Sequence, residues 1–384
     1  MRIYLDHNAT TPLRPEVGEA LAHAQRELFG NPSSTHAEGA RARYALEQAR
    51  ESVGRALGLP AEGATGRIVF TAGATESNNS IVRSEAFSGR TGQVVSTGVE
   101  HPSVMEPLAD LAARGRKVTL LEVGADGLLD PDRLRAALGE KTDLVSLLWA
   151  NNETGVLQPV AELSEIVREH GAWLHVDATQ VLGKHPLHLG AIQPDSLALS
   201  AHKLNGPKGI GCLYLRDFQA LEPWLRGGGQ ERGLRGGTEN LAGIVGFGVA
   251  CELAEKEVVS RMESYAVLRD RLWDGIASGV GDVKRNGSPE HVLCNTLNVE
   301  FEGTAGEVLL QALDLEGVAV SAGAACHSGS IQASHVLLGM GRTKEQARSS
   351  LRMSVGYGVD TQQIDRAIAL LCELVPRARE AASS

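Results

Sequence analysis

Between residues 67 and 215 the chain alternates two hydrophobic patterns. Short, nearly continuous apolar runs recur at 67–71, 93–97, 118–123, 144–149, 173–176, 196–200 and 210–215. Between most of them lie longer stretches, at 75–86, 103–114, 131–138 and 159–170, with apolar positions three and four apart. Continuous apolar runs suit strands buried on both faces, and the three-and-four spacing suits amphipathic helices. The alternation predicts a largely parallel sheet with covering helices.

The flanks read differently. Residues 3–5 form a short strand-like run that either domain can use. Residues 16–29 and 38–57 have helical periodicity, interrupted by the Gly- and Pro-bearing stretch 30–36. Residues 226–240 are Gly-rich and charged, hence a loop, and a long helical stretch runs from there to about 278. Strand-like 292–301, helix-like 305–315, strand-like 317–321, a loop at 322–334 and a helical pattern at 361–380 complete the chain. The expected fold is α/β. Residues 16–260 make a large domain around a mostly parallel seven-stranded sheet flanked by helices; residues 1–15 and 261–384 make a smaller α+β domain.

Composition removes several function classes. With 42% hydrophobic and 22% charged residues, the 384-residue chain has the balance of a soluble globular enzyme. A net charge of −10 argues against a direct nucleic-acid binder, which usually carries a basic face. The five cysteines, Cys212, Cys251, Cys294, Cys326 and Cys372, are scattered and include no CxxC pair. That pattern predicts neither a disulfide framework nor a resident metal site. The opening MRIYLDHNATTP lacks the layout of a signal peptide, and no run approaches the ~20 apolar residues that span a bilayer. A cytoplasmic setting without membrane contact is therefore expected.

Candidate chemistry collects where strands give way to loops, the edge at which open α/β sheets bind ligands. Asp177 ends one buried-looking strand, and a buried carboxylate needs a partner such as a protonated ring nitrogen, an arginine or a backbone cap. Gln180 follows one turn later. Lys203 closes Ser200-Ala201-His202-Lys203 at the end of the next strand, where partial burial and nearby cations favour a neutral, nucleophilic amine. Between them Asp177 and Lys203 suit one pyridoxal phosphate. Thr71-Ala72-Gly73-Ala74-Thr75 opens a helix after a strand, so Ala74 and Thr75 sit where free N–H groups bind anions; an ordinary N-cap uses the same residues. His101 can stack on a flat cofactor or move protons. Asn152 lies in polar Asn151-Asn152-Glu153-Thr154-Gly155 directly after a very apolar strand. Cys326 sits in Ala322-Gly323-Ala324-Ala325-Cys326-His327-Ser328, among tiny residues and beside a histidine that favours the thiolate. Arg352 fits either a carboxylate clamp or a structural ion pair.

Taken together these stretches resemble the class V, fold-type I pyridoxal-phosphate transferases, and within them the NifS/IscS-like cysteine desulfurases. The resemblance runs in family order through YLDHNATTP (4–12), FGNPSS (29–34), FTAGATESNN (70–79), VEHPSV (99–104), ANNETG (150–155), HVDATQ (175–180), SAHKLNGPKGIG (200–211), GGGQERGLRGGTEN (227–240), AGAACHSG (322–329) and LRMSVG (351–356).

The resemblance implies roles. Lys203 binds the cofactor covalently, Asp177 pairs with its ring nitrogen and Gln180 bonds its hydroxyl. Ala74, Thr75, Ser200 and His202 hold the phosphate, and Thr238 reaches the phosphate of a neighbouring subunit in a homodimer. His101 stacks on the ring and moves protons. Asn152 and Arg352 meet the substrate L-cysteine. Cys326 takes its sulfur as a persulfide, leaving L-alanine, and passes it to an acceptor such as an iron–sulfur scaffold or a thiolation enzyme. That persulfide can also act as a transient iron–sulfur ligand. One departure stands out. Many desulfurases of this type carry Ser-Gly-Ser-Ala-Cys-Thr at the nucleophile, whereas Ala-Ala-Cys-His-Ser also resembles selenocysteine lyases. A selenocysteine lyase and a class V aminotransferase are the alternative enzymes, and a non-catalytic platform for sulfur-trafficking partners is the alternative of another class.

Overall fold

The computed structural model describes residues 2–60, 67–84, 90–139, 141–322 and 332–383. The seven strands read from the sequence form one sheet, in the spatial order Ile68–Thr71, Gly211–Leu215, Ser196–Ser200, Trp173–Asp177, Thr142–Leu148, Gln93–Thr97, Val118–Leu121. Every pairing from Ser196–Ser200 outward to Val118–Leu121 is parallel; only Gly211–Leu215 runs antiparallel to its two neighbours. Strands such as Gln93–Thr97 and Ser196–Ser200 are buried at every position, which is why their apolar runs do not alternate.

Topology decides where the site lies. The strands ending at Thr71, Thr97, Leu148, Asp177 and Ser200 all point the same way, so their following loops open on one edge of the sheet. The five stretches singled out for chemistry between residues 71 and 203 are those loops.

A second, four-stranded antiparallel sheet has the order Ser321–Ala322, Ser350–Ser354, Thr296–Phe301, Val283–Arg285. Its strand Thr296–Phe301 is shorter than the 292–301 pattern predicts, because Val292 bridges to Val156 across the chain instead. Ile3–Tyr4 pairs in parallel with Val318–Ala319, and Ile3 and Leu5 are buried with the residues of this second sheet. The 39-residue helix Leu241–Gly279 spans both apolar clusters. Its start buries Ile244, Phe247, Ala250, Cys251 and Ala254 against the large sheet, and its end buries Leu268, Leu272 and Ile276 in the second cluster. Among the described residues no helix is long and apolar enough to cross a membrane, and no cluster of His, Cys, Asp and Glu is placed to hold a metal ion.

The Gly-rich stretch after residue 226 is tied to the sheet by a buried ion pair. Arg50 donates to both carboxylate oxygens of Glu231, at 2.7 and 3.0 Å, and to the carbonyl of Ile68, while Glu231 accepts from the Phe70 amide. Glu231 and Arg232 adopt φ of 46° and 57°, a left-handed conformation that neither residue favours alone. Removing one partner of a buried pair strands the other charge. Arg50→Ala should therefore lower unfolding stability by about 3–5 kcal/mol in a denaturant titration; a loss below about 1 kcal/mol would mean that Glu231 finds other donors.

Candidate active site

The loops at the sheet edge and the face of the second sheet enclose a cavity of about 1060 Å³. Ala74, Thr75, His101, Asn152, Asp177, Gln180, Ser200, His202, Lys203 and Arg352 all line it. Two candidates do not join them. Thr238 is exposed and lies away from this cavity. Cys326 falls in 323–331, outside the described residues.

Asp177 is 2% exposed. Its Oδ2 accepts from Asn78 Nδ2 at 2.7 Å and its Oδ1 from the Thr179 amide at 3.0 Å. Neither donor is a cation, so the carboxylate suits a protonated heterocyclic nitrogen entering from the cavity. Beside it the Thr179 hydroxyl is buried without a partner among the described residues, a polar group waiting for a ligand.

Lys203 ends the 3₁₀ turn Ala201–Lys203 that follows the strand Ser196–Ser200, and it lines the cavity. Its Nζ donates to the carbonyls of Asn8 and Ala9, at 2.6 and 2.7 Å. Burial first, and then the Arg352 guanidinium, pull the amine down to about 8, against the opposing charges of Asp6 and Asp177. Gln180 is fixed at both ends of its amide: Oε1 accepts from Lys184 Nζ at 2.6 Å and Nε2 donates to the Asn8 carbonyl at 2.9 Å. Lys184 is itself buried, which lowers its amine to about 7, with the Lys203 charge as the next cause.

One end of the cavity is built on glycine. Gly73, at φ 152°, precedes the helix Ala74–Val82 without a side-chain cap, and Gly73, Ala74 and Thr75 line the cavity. A Cβ on Gly211 would come within 2.7 Å of Gly73 Cα, so the neighbouring strand can approach this turn only without a side chain. His202 turns Nδ1 to the Thr10 hydroxyl at 3.1 Å; burial, then Lys203, lower its pKa to about 4. The imidazole is thus neutral near pH 7 and suits donating its other N–H to a phosphate.

Arg352 is engaged on both sides. Nη2 donates to Asp6 Oδ1 at 2.6 Å, Nη1 to the Asn152 carbonyl at 3.0 Å, and Nε is buried without a partner among the described residues. The ion pair read as an alternative to the clamp is present, and it orients the guanidinium at the cavity wall. The ends of the segment carrying Cys326 adjoin the same wall. Ser321 pairs with Arg352 across the second sheet. Ser334 caps the helix His335–Gly339 and donates to Glu153 Oε2 at 2.5 Å. Ser321, Ala322 and His335 all line the cavity.

Sequence reading missed Asn8, Asn78, Ser103, Glu153, Lys184 and His335. Asn78 had a signal: it lies one helical turn beyond Thr75, in a stretch already quoted. Asn8 acts through its carbonyl, which side-chain chemistry cannot reveal. Lys184 and His335 gave no signal in the one-dimensional pattern.

A buried acid, a depressed amine, a helix N-terminus between small residues and an unpartnered hydroxyl in one cavity fit pyridoxal phosphate. Asp177 would take its ring nitrogen, Lys203 its aldehyde carbon, Gln180 its ring hydroxyl, and Ala74, Thr75, Ser200 and His202 its phosphate.

The aminotransferase class-V family model matches residues 3–367. A cysteine desulfurase IscS of Dictyoglomus turgidum is 40% identical over 98% of this chain and 95% of its own length. A cysteine desulfurase of Bradyrhizobium diazoefficiens is 43% identical over 98% and 95%. Among solved structures, a NifS-like protein superposes with a TM-score of 0.91 at 35% identity, covering 98% of this chain and all of that one. SspA in complex with cysteine superposes at 0.81 with 34% identity, over 92% of this chain and 99% of that one.

Proposed function

The chain belongs to the class-V aminotransferase family, and from that premise we propose how it works: it is a pyridoxal-phosphate-dependent cysteine desulfurase that uses Cys326 as the sulfur carrier. The supporting observation is the joint placement of Asp177 and Lys203 in a cavity whose wall holds both described ends of the Cys326 segment. When bound, pyridoxal phosphate supplies an electron sink for the charge released at the substrate α-carbon. Asp177 keeps that sink protonated at its ring nitrogen. Arg352 aligns the L-cysteine carboxylate while Asp6 holds the guanidinium in place. The Lys203 amine, once free, moves the α-proton, and His101 carries protons on the face it covers. The Cys326 thiolate attacks the substrate sulfur; the substrate C–S bond breaks as an S–S bond forms. L-cysteine and the Cys326 thiol become L-alanine and a Cys326 persulfide, and the terminal sulfur then passes to an acceptor thiol.

The chain divides near residue 260 into the two expected domains and works in the cytoplasm as a homodimer in which Thr238 serves the partner's phosphate site. The acceptor is a protein of iron–sulfur assembly or thiolation. Incubation with L-cysteine should yield stoichiometric alanine and a Cys326 persulfide by mass spectrometry. Alanine formed from L-selenocysteine alone would reassign the enzyme as a selenocysteine lyase.

Two further results are expected. Arg352→Ala should raise the KM for L-cysteine about a hundredfold, the scale of a lost charged hydrogen-bond pair, with a smaller change in kcat; an unchanged KM would place the carboxylate elsewhere. Uptake of pyridoxal phosphate by the apoprotein needs the neutral Lys203 amine. Because burial holds that amine at about 8, the uptake rate should climb with pH through about 8. A midpoint near the ordinary lysine value of about 10.4 would mean the amine is solvated.

A further inference from the structure

A chain of hydrogen bonds runs through the large sheet to His101, Ser103 and Asp177 in the cavity wall, and every donor in it points the same way. It starts at Trp173, whose indole N–H donates to Ser196 Oγ at 2.9 Å. The Ser196 hydroxyl is then free to donate to His175 Nδ1 at 2.9 Å, and His175 Nε2 lies 2.9 Å from Asn78 Oδ1. The Asn78 amide nitrogen gives its two hydrogens to Asp177 Oδ2, at 2.7 Å, and Ser103 Oγ, at 2.8 Å. Ser103 Oγ lies 2.8 Å from His101 Nδ1, which also accepts the Ser103 amide at 3.1 Å as the N-cap of the helix Pro102–Ala113.

The direction is fixed at two points: Asp177 Oδ2 accepts from the Asn78 amide nitrogen, and the Ser103 backbone N–H can only donate to His101 Nδ1. Asp177 therefore sets the Asn78 amide with its nitrogen toward Asp177 and Ser103 and its oxygen toward His175. His175 must then carry its proton on Nε2, and Nδ1 is left to accept from the Ser196 hydroxyl. With Ser103 Oγ already accepting from Asn78, its hydroxyl proton goes to His101. Nδ1 of His101 faces two donors and cannot hold a proton. Asn78, Ser103, His175 and Ser196 are all buried, so solvent does not scramble the order.

We propose that this chain is a polarity lock that presents His101 to the cavity with its proton on Nε2, and that Ser103 and Asn78 are positioning residues for proton delivery at that atom. The kinetic part of the proposal rests on the desulfurase reading; the protonation pattern does not. None of the roles proposed above for the site residues requires this chain, and a stacked histidine alone leaves the tautomer open.

The direct test is nitrogen-15 spectroscopy of imidazole-labelled protein, apo and loaded, with His101→Gln and His175→Gln used for assignment. Near pH 7 both rings should show the Nε2–H pattern. An Nδ1–H or doubly protonated His101 overturns the lock whatever reaction the protein catalyses. Asp177, Lys203, His335 and Glu153 are the charged or titratable groups acting on His101, so the spectrum is followed as the pH is varied. In the kinetic arm, Ser103→Ala should lower kcat about tenfold, part of the roughly hundredfold or more that a positioned proton donor contributes. The KM for L-cysteine and the visible band of the bound cofactor should hold, and Ser103→Thr should restore most of the rate. No loss in Ser103→Ala, a loss in KM alone, or equal loss in both variants overturns the positioning role.

Discussion

Lys203→Ala should yield a protein that folds, binds pyridoxal phosphate weakly and lacks the visible band of a lysine-bound cofactor. Turnover of L-cysteine should fall by at least about a thousandfold, since one residue supplies both the covalent link and the proton transfer. The native amine donates to the Asn8 and Ala9 carbonyls; Asn8 keeps the Gln180 amide as a donor, so the alanine strips a donor chiefly from Ala9. Those carbonyls line the cavity and can be solvated, so the effect on folding should stay near 1 kcal/mol. Absorbance of the purified protein settles the point: a retained visible band would mean that another amine captures the cofactor, and Lys184, the other buried lysine near the site, would be the first to examine.

Cys326→Ser should separate cofactor chemistry from sulfur chemistry. Hydroxyl is a far poorer nucleophile toward sulfur than thiolate, so alanine and sulfide production should fall by about a thousandfold or more. Colour, cofactor content and the spectral change on adding L-cysteine should remain, because every residue assigned to the cofactor lies elsewhere. Single-turnover spectroscopy with parallel alanine measurement checks both halves. Unchanged alanine release would dismiss Cys326 as the carrier; conversion of L-cysteine to its keto acid without alanine would favour a class V aminotransferase, for which this segment is idle.

How much of this was legible depended on whether chemistry followed chain direction. Asp177 and Lys203 were found at strand ends because a buried apolar run that stops at a charged residue is visible in one dimension, and the structure puts both at the sheet edge. The seven-stranded sheet was legible for the same reason, down to its strand positions; the reversed direction of Gly211–Leu215 was not, since period alone carries no polarity. The second sheet was harder. Its strands are short, and one shortens further because Val292 pairs across the chain. Asp6 and Arg352 are 346 residues apart and their pairing has no local trace. Asn78 and Ser103 look like routine helix-start residues until the fold lays one against Asp177 and the other against His101.

The helix Leu241–Gly279 has a consequence for cooperativity. Its start is held by one apolar core and its end by another, so neither core can melt without fraying a helix on which the other depends. Local openings that would cost one half of the molecule little are charged to both. Partial unfolding that exposes apolar surface should therefore be disfavoured, because one continuous helix is shared by the cores beside both sheets.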